Sequence, residues 1–275
     1  MNLNTIEEIW RSTPHGPLPG AWQDGDGWLA GGTWLYSEPQ PHLRRLLDLQ
    51  GFGWEPITVT GGEVSIASTC TIAQLDAFQP PSDWLAVSLI GQCCRSLLAS
   101  FKVWNTATVG GNVCMSLPAG AMISLTTALE GQCNLIRANG DQERIPVEAF
   151  VTGDHQNVLQ PGDLLRSIDL PVSALRRQSA FRQMSLTHLG RSSALLIGTL
   201  DPSSGEFMLT VTASTVRPVR LAVTEIPQPV DLRTALDERI ADAMYHDDVH
   251  GSPEYRKHLT YHFAEEIRQE LSHSA

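Results

Sequence analysis

Ala30-Gly31-Gly32-Thr33-Trp34, read together with Thr108-Val109-Gly110-Gly111-Asn112, is the most informative stretch of this chain. Each glycine pair follows or ends an apolar, strand-like run. A Gly-Gly step beside small or hydroxyl residues lets the backbone turn sharply and leaves its N–H groups pointing outward. A concave row of N–H groups holds phosphate oxygens without a lysine or arginine. Two such rows, far apart in sequence, can close on one diphosphate from both sides, so the pair points to a dinucleotide. Either turn by itself is more often a plain tight turn.

Working outward, the 275 residues suffice for two domains or one large one. With 42% hydrophobic and 18% charged residues, the composition is that of a soluble protein with a real core. No apolar run approaches the roughly 20 residues of a membrane helix. Residues 1–8 are polar and acidic, unlike a secretory signal or transit peptide. The net charge of -11 argues against nonspecific nucleic-acid binding, which needs a basic footprint. Bound phosphates must then be held by local dipoles. The five cysteines, Cys70, Cys93, Cys94, Cys114 and Cys133, include an adjacent pair and no CxxC, which fits a reducing compartment. That spacing excludes a four-thiolate iron–sulfur cluster on this chain. The thiols read as small buried apolar groups.

Three stretches follow in order. The first, to about residue 55, reads as a Gly- and Pro-rich loop, a strand ending at Ala30, the first glycine turn and a helix. Pro41 suits that helix's first turn, and Leu43, Leu46, Leu47 and Leu49 give it an apolar face. The second, residues 56–175, has strands at 57–60 and 64–67, then a helix capped by Ser82 carrying Leu85, Leu89, Cys93 and Leu97 at four-residue spacing. The second glycine turn comes next, then strands around 133–136 and 167–171, the last closed by Pro171. In the third, residues 194–200 and 207–213 read as strands joined by the turn at 201–205. A final helix is capped by Ser252, with Pro253 in its first turn and Tyr255, Leu259, Phe263, Ile267 and Leu271 on one face.

The two glycine motifs resemble the paired FAD motifs of the molybdenum hydroxylase flavoprotein family, the medium subunits of xanthine dehydrogenase-like and carbon monoxide dehydrogenase-like enzymes. The resemblance continues through Ile168-Asp169-Leu170-Pro171, Phe181-Arg182, Ser192-Ser193-Ala194, Arg217-Pro218-Val219-Arg220 and Gly251-Ser252-Pro253-Glu254-Tyr255-Arg256. It spans nearly the whole chain in the right order. It implies an α+β fold: a two-subdomain FAD-binding domain of the vanillyl-alcohol oxidase/MurB-like superfamily at 1–175, divided near 55, and a small α+β domain with an antiparallel sheet and helices at 176–275.

The resemblance assigns Ala30, Gly31, Gly32, Thr33 and Trp34 to one wall of the diphosphate site, and Thr108, Gly110, Gly111 and Asn112 to the other. Asn105 matches an asparagine shortly before the second turn. Ser116 and Ala119 belong to a segment expected along the ribityl chain and flavin, and Leu170 belongs to the end of the FAD domain. Leu186, His188 and Leu189 fall in a loop expected near the flavin face. Two departures stand out. Ser116-Leu117-Pro118-Ala119-Gly120-Ala121 lacks the acid the family often has there, and Trp104 replaces an arginine.

The implied activity is that of an oxidoreductase subunit holding noncovalent FAD. It would take electrons from 2Fe–2S clusters on a small subunit, downstream of a large molybdopterin-binding subunit, and pass them to a final acceptor. A heterotrimer or dimer of heterotrimers is expected, in the cytoplasm, or in the periplasm if exported with a partner. No residue of this chain is expected to do acid–base work on substrate, and no metal is expected on it. Two alternatives stay open: a self-contained flavin oxidase or reductase, and an assembly subunit that has lost FAD. Gly25-Asp26-Gly27-Trp28-Leu29-Ala30 mimics a Rossmann fingerprint but lacks a strand before it and a helix directly after. His246-Asp247-Asp248-Val249-His250 mimics a zinc motif, yet Gly251-Ser252-Pro253 follows at once, which places it in a loop. His258 and His262 read as an exposed helix face.

Overall fold

A computed structural model describes residues 4–273; residues 1–3, part of the polar N-terminal stretch, and 274–275 lie outside the described residues. The first unit is a three-stranded parallel sheet of β1 (Glu8–Arg11), β2 (Asp26–Leu29) and β3 (Arg45–Asp48), in the order β1-β3-β2. Arg45 sits opposite both Glu8 and Asp26, with β3 central. The helix expected at residues 41–49 is therefore a strand. Leu46 and Leu47 are both buried because opposite faces of β3 are covered. A short apolar run buried on two sides has no periodicity that separates helix from strand. The Arg45 guanidinium grips the Asp26 carboxylate with two hydrogen bonds, 2.7 Å from Nε and 2.6 Å from Nη2. That grip holds the carboxyl below its ordinary range.

The second unit opens with β4 (Ile57–Val59) and β5 (Glu63–Ala67). Helices α1 (Ile72–Asp76), α2 (Ser88–Ser96), α3 (Phe101–Trp104), α4 (Val109–Met115) and α5 (Ala121–Ala128) follow. The chain then runs through β6 (Gln132–Ile136), β7 (Gln142–Pro146), α6 (Val147–Phe150), a small hairpin of β8 (Val151–Gly153) and β9 (Gln156–Asn157), and β10 (Leu164–Pro171). The sheet order is β4-β5-β10-β6-β7, every pair antiparallel. Ser82 does not cap α2. A 3-10 turn at Leu85–Val87 precedes the helix, Leu85 points to solvent, and Leu97 lies past the last turn in an extended conformation. Only Leu89 and Cys93 of the expected stripe are buried on α2 itself.

After α7 (Val172–Leu175) comes an antiparallel sheet of β11 (Gln178–Ser185), β12 (Ser192–Leu200), β13 (Phe207–Thr212) and β14 (Val219–Val223), then α8 (Pro229–Arg239) and α9 (Pro253–His273). The final helix starts as the sequence predicts, with the Ser252 hydroxyl accepting the Tyr255 amide at 3.3 Å. Every residue of β12 is buried. Leu195 and Ile197 face the core of the second unit, while Ala194, Leu196 and Leu200 face the core under α9. This is period-two alternation with both faces covered. Gly198 lets α9 lie this close: a Cβ there would stand 2.2 Å from Ile267 Cγ2. Helix α5, buried at every residue, packs on the other face of this sheet. A buried hydrogen bond of 2.7 Å joins Ser124 Oγ and Thr212 Oγ1 across that seam.

Candidate functional site

The first glycine turn leaves β2 and the second opens α4, and the fold seats them against each other. A Cβ on Gly31 would meet the Thr106 carbonyl oxygen at 1.9 Å. Between and beyond the turns runs a cleft of about 800 Å³, within the usual size range of cofactor pockets. Ala30, Gly31, Gly32, Thr33 and Trp34 line one side, and Thr108, Gly111 and Asn112 the other.

The two turns differ in what they offer. The amides of Gly31, Gly32, Thr33 and Trp34 have no acceptor among the described residues. Gly32 adopts a left-handed φ of 69°, which bends this row. In the second turn the amides are already satisfied within the protein. Val109 N–H donates to the Cys70 carbonyl at 2.8 Å and Gly110 N–H to the Ser68 carbonyl at 3.1 Å. Gly111 N–H donates to Thr108 Oγ1 at 3.0 Å, and Asn112 N–H to the Thr108 carbonyl at 3.0 Å. The second turn therefore presents a close wall with the Thr108 hydroxyl and the Asn112 side chain. Asn112 Oδ1 accepts the Met122 amide at 2.9 Å, which orients its NH₂ group and ties the turn to the start of α5.

Other residues singled out from the sequence lie around this core. Ala119 lines the cleft, as does Leu189, which is 78% exposed and so free to cover a ligand from the β11–β12 loop. His188 and Leu186 are exposed in the same loop but are not among the cleft-lining residues. Gly110 is buried behind the wall, where a Cβ would meet Ser68 Cβ at 2.4 Å. Ser116 is buried at the left-handed end of α4, and its hydroxyl donates to the Val113 carbonyl at 3.2 Å. Leu170 sits in the β10 core opposite Val64. Asn105 is exposed and donates its side-chain amide to the Phe101 carbonyl at 2.8 Å.

The structure adds wall residues with no local sequence signal. Leu97, Leu98 and Val103 add apolar wall, and Ser192 and His250, from the C-terminal part of the chain, add polar wall together with Arg191, the last residue of the loop expected near the flavin. The His246–His250 stretch is a loop, held by Arg256, which is buried and donates to the carbonyls of Ser193 at 2.7 Å, Ala213 at 2.6 Å and Gly251 at 3.0 Å and to the Asp248 carboxylate.

This donor set fits FAD. The unpaired amides and the absence of side chains at Gly31, Gly32 and Gly111 suit a diphosphate, and the apolar lining by Leu97, Leu98, Val103 and Leu189 suits a ring. The comparisons with known proteins agree. Residues 24–173 match the family described as the FAD binding domain in molybdopterin dehydrogenase. Caffeine dehydrogenase subunit beta of Pseudomonas sp. (strain CBB1) is 29% identical over 141 residues, 50% of this chain and 45% of that protein. The matched stretch thus spans less than half of that curated relative's length. The fold is similar to a chain of reconstituted CO dehydrogenase from Oligotropha carboxidovorans, with a TM-score of 0.80, 21% identity and 98% of each chain covered. It is also similar to a chain of quinoline 2-oxidoreductase from Pseudomonas putida 86, with a TM-score of 0.78, 16% identity, and 100% and 99% covered. The match over residues 24–173, more than half of the chain and holding both glycine turns of the cleft, places this chain in the family of FAD-binding domains of molybdopterin dehydrogenases.

Proposed function

We propose that this chain is the FAD-binding, electron-transferring subunit of a multi-subunit molybdenum hydroxylase. The observation that carries the proposal is the juxtaposition of the two turns on one cleft, which residues 31–34, with unpaired amides, line together with Thr108, Gly111 and Asn112. Gly31, Gly32, Thr33 and Trp34 hold the diphosphate through main-chain N–H groups, with Ala30 beside them. Thr108 and Asn112 add side-chain donors, and Gly111 leaves the approach clear. The flavin end lies toward Ala119, Leu189, Arg191, Ser192 and His250. When bound, FAD supplies the exchange between single-electron and two-electron transfer. The protein's part is to bind and orient the cofactor and to govern access of water and partners.

The working division is a FAD-binding domain at 1–175 and a C-terminal domain at 176–275. The partners in this reading are a small 2Fe–2S subunit that delivers electrons and a large molybdopterin subunit that oxidises the substrate, in a cytoplasmic heterotrimer. No described helix is long and apolar enough to cross a membrane. The test is purification of the native assembly, with acid release of flavin and mass spectrometry of the co-purifying chains. Stoichiometric FAD together with a molybdopterin subunit supports the reading. An assembly that releases no flavin overturns it, and turnover by the isolated chain without molybdenum or iron replaces it with a self-contained flavoenzyme.

A further inference from the structure

A second cavity of about 410 Å³ opens beside the flavin end of the cleft. The two cavities share Leu117, Ala119, Arg191, Ser192 and His250 in their walls. Of these side chains, only an imidazole serves as both general acid and general base. His250 is half-buried, and its main chain is pinned from both sides. Its N–H donates to Asp248 Oδ1 at 2.8 Å, and its carbonyl accepts from Ser193 Oγ at 2.5 Å. Asp248 is in turn gripped by the buried Arg256. The protein thus fixes the His250 backbone at a position that lines both spaces, with Ser193, Asp248 and Arg256 forming a polar network around it.

The charged and titratable groups that line the second cavity with His250 come from four elements. The loop of His250 itself contributes His246, Asp247 and Asp248, with His246 Nε2 3.3 Å from Asp248 Oδ2. Helix α9 contributes Arg256. The β8–β9 turn contributes Asp154 and His155, paired at 2.8 Å, and the β11–β12 loop contributes Arg191. Asp154, His155, Arg191 and Asp248 give this cavity polar groups at which water can bind.

We propose that His250 is the proton-transfer residue for the flavin, passing protons between the second cavity and the cleft. The assignment rests on the flavoprotein reading above. Two electrons from a low-potential one-electron donor and one proton convert the oxidised ring to its anionic reduced form. An imidazolium N–H bond breaks, an N–H bond forms on the ring, and the neutral imidazole regains a proton from water in the second cavity. Ser193 and Asp248 act as positioning residues.

The test uses the FAD-loaded full chain, reduced by dithionite in rapid mixing and followed by flavin absorbance from about pH 5 to 8, the window in which imidazole titrates. FAD content is measured first for each variant. The wild-type rate should bend across that window and slow in D₂O. His250→Gln should retain FAD, lose the bend and slow about tenfold or more, and added imidazole should restore His250→Ala. A His250→Gln chain with full FAD and the wild-type rate and bend overturns the assignment. So does a slowed His250→Ala that keeps the wild-type pH profile and ignores imidazole. A native assembly that releases no FAD overturns the flavoprotein reading, and the assignment with it.

Discussion

The carbonyl oxygen of Thr106 stands where a side chain on Gly31 would have to go, 1.9 Å from the ideal Cβ position. Backbone presses on backbone, so the first glycine turn reaches its place against the second only without a side chain. Gly31→Ala must therefore shift one turn away from the other, a strain of about 1–3 kcal/mol. The expected result is a folded chain whose FAD affinity falls about tenfold or more, since each ~1.4 kcal/mol is tenfold in Kd. Fluorescence titration with FAD checks it. Gly62→Ala is the control: a Cβ there meets nothing within 4 Å, and FAD affinity should not change.

The 2.7 Å hydrogen bond between Ser124 and Thr212 is buried between α5 and β13. Thr212 Oγ1 also donates to the Leu195 carbonyl at 3.0 Å, so the two hydroxyls share their protons between each other and nearby carbonyls. Ser124 in turn sits 3.1 Å from the Gly120 carbonyl. Thr212→Val takes from the Leu195 carbonyl its side-chain donor and from the Ser124 hydroxyl one of its partners, at a cost of about 1–3 kcal/mol. Urea denaturation should show a lower midpoint with little change in slope. Combining it with Ser124→Ala should cost less than the sum of the two singles, because the orphaned partner is removed.

Arg256 and Asp248 give stability a pH dependence. Burial alone would raise the Asp248 carboxyl, but the His250 amide and the Arg256 guanidinium outweigh it and hold the carboxyl below its ordinary value. A carboxyl depressed in the folded state contributes stability that is present above its unfolded pKa, about 3.9, and is lost as pH falls through the folded value. Wild-type Tm should therefore drop on acidification below about pH 4. Arg256→Met should lower Tm at neutral pH, with a loss of about 3–5 kcal/mol for an abandoned buried partner. Its Tm should also fall less steeply in acid. Scanning calorimetry across that range reads both effects.

The cysteines should be inert in the native protein. Burial pushes the thiols of Cys70, Cys94 and Cys114 up to about 12, and raises those of Cys93 and Cys133 as well. A thiol reagent acts on the thiolate, so labelling near pH 8 should be at least about 100-fold slower in the native than in the unfolded chain. Cys114 alone of the cysteines lines the cleft, so it should label first, and FAD should protect it. Peptide mapping after timed alkylation distinguishes the sites.

Local chemistry decides what could be read ahead of the structure. Ser252 and Pro253 start α9, and its stripe from Leu259 to Leu271 is buried as the spacing requires. Strands β5, β6, β12 and β13 fall where alternation or apolar runs place them, within a residue or two. The failures share one cause. Leu46-Leu47 is a strand because neighbours cover both faces, and Leu85 is exposed because a 3-10 turn breaks the stripe before α2. Neither fact is encoded in the segment itself. At the site, the glycine motifs were legible because backbone geometry restricts those positions to glycine. Arg191 was reached only through the resemblance, as the end of the loop at 185–191 expected near the flavin, and Ser192 and His250 were not reached at all, because nothing near them in sequence marks them as neighbours of the turn at 30–34.

By itself, the sequence determined that this chain carries two sharp, side-chain-free bends in a distinctive order, because steric exclusion at a glycine is a property of the residue. Only the tertiary structure decided that the bends share one cleft, that the first keeps its amides unpaired while the second uses them internally, and that His250 from the third unit joins the lining. Those outcomes depend on which distant carbonyls reach which amides, and packing sets that through contacts no single segment contains.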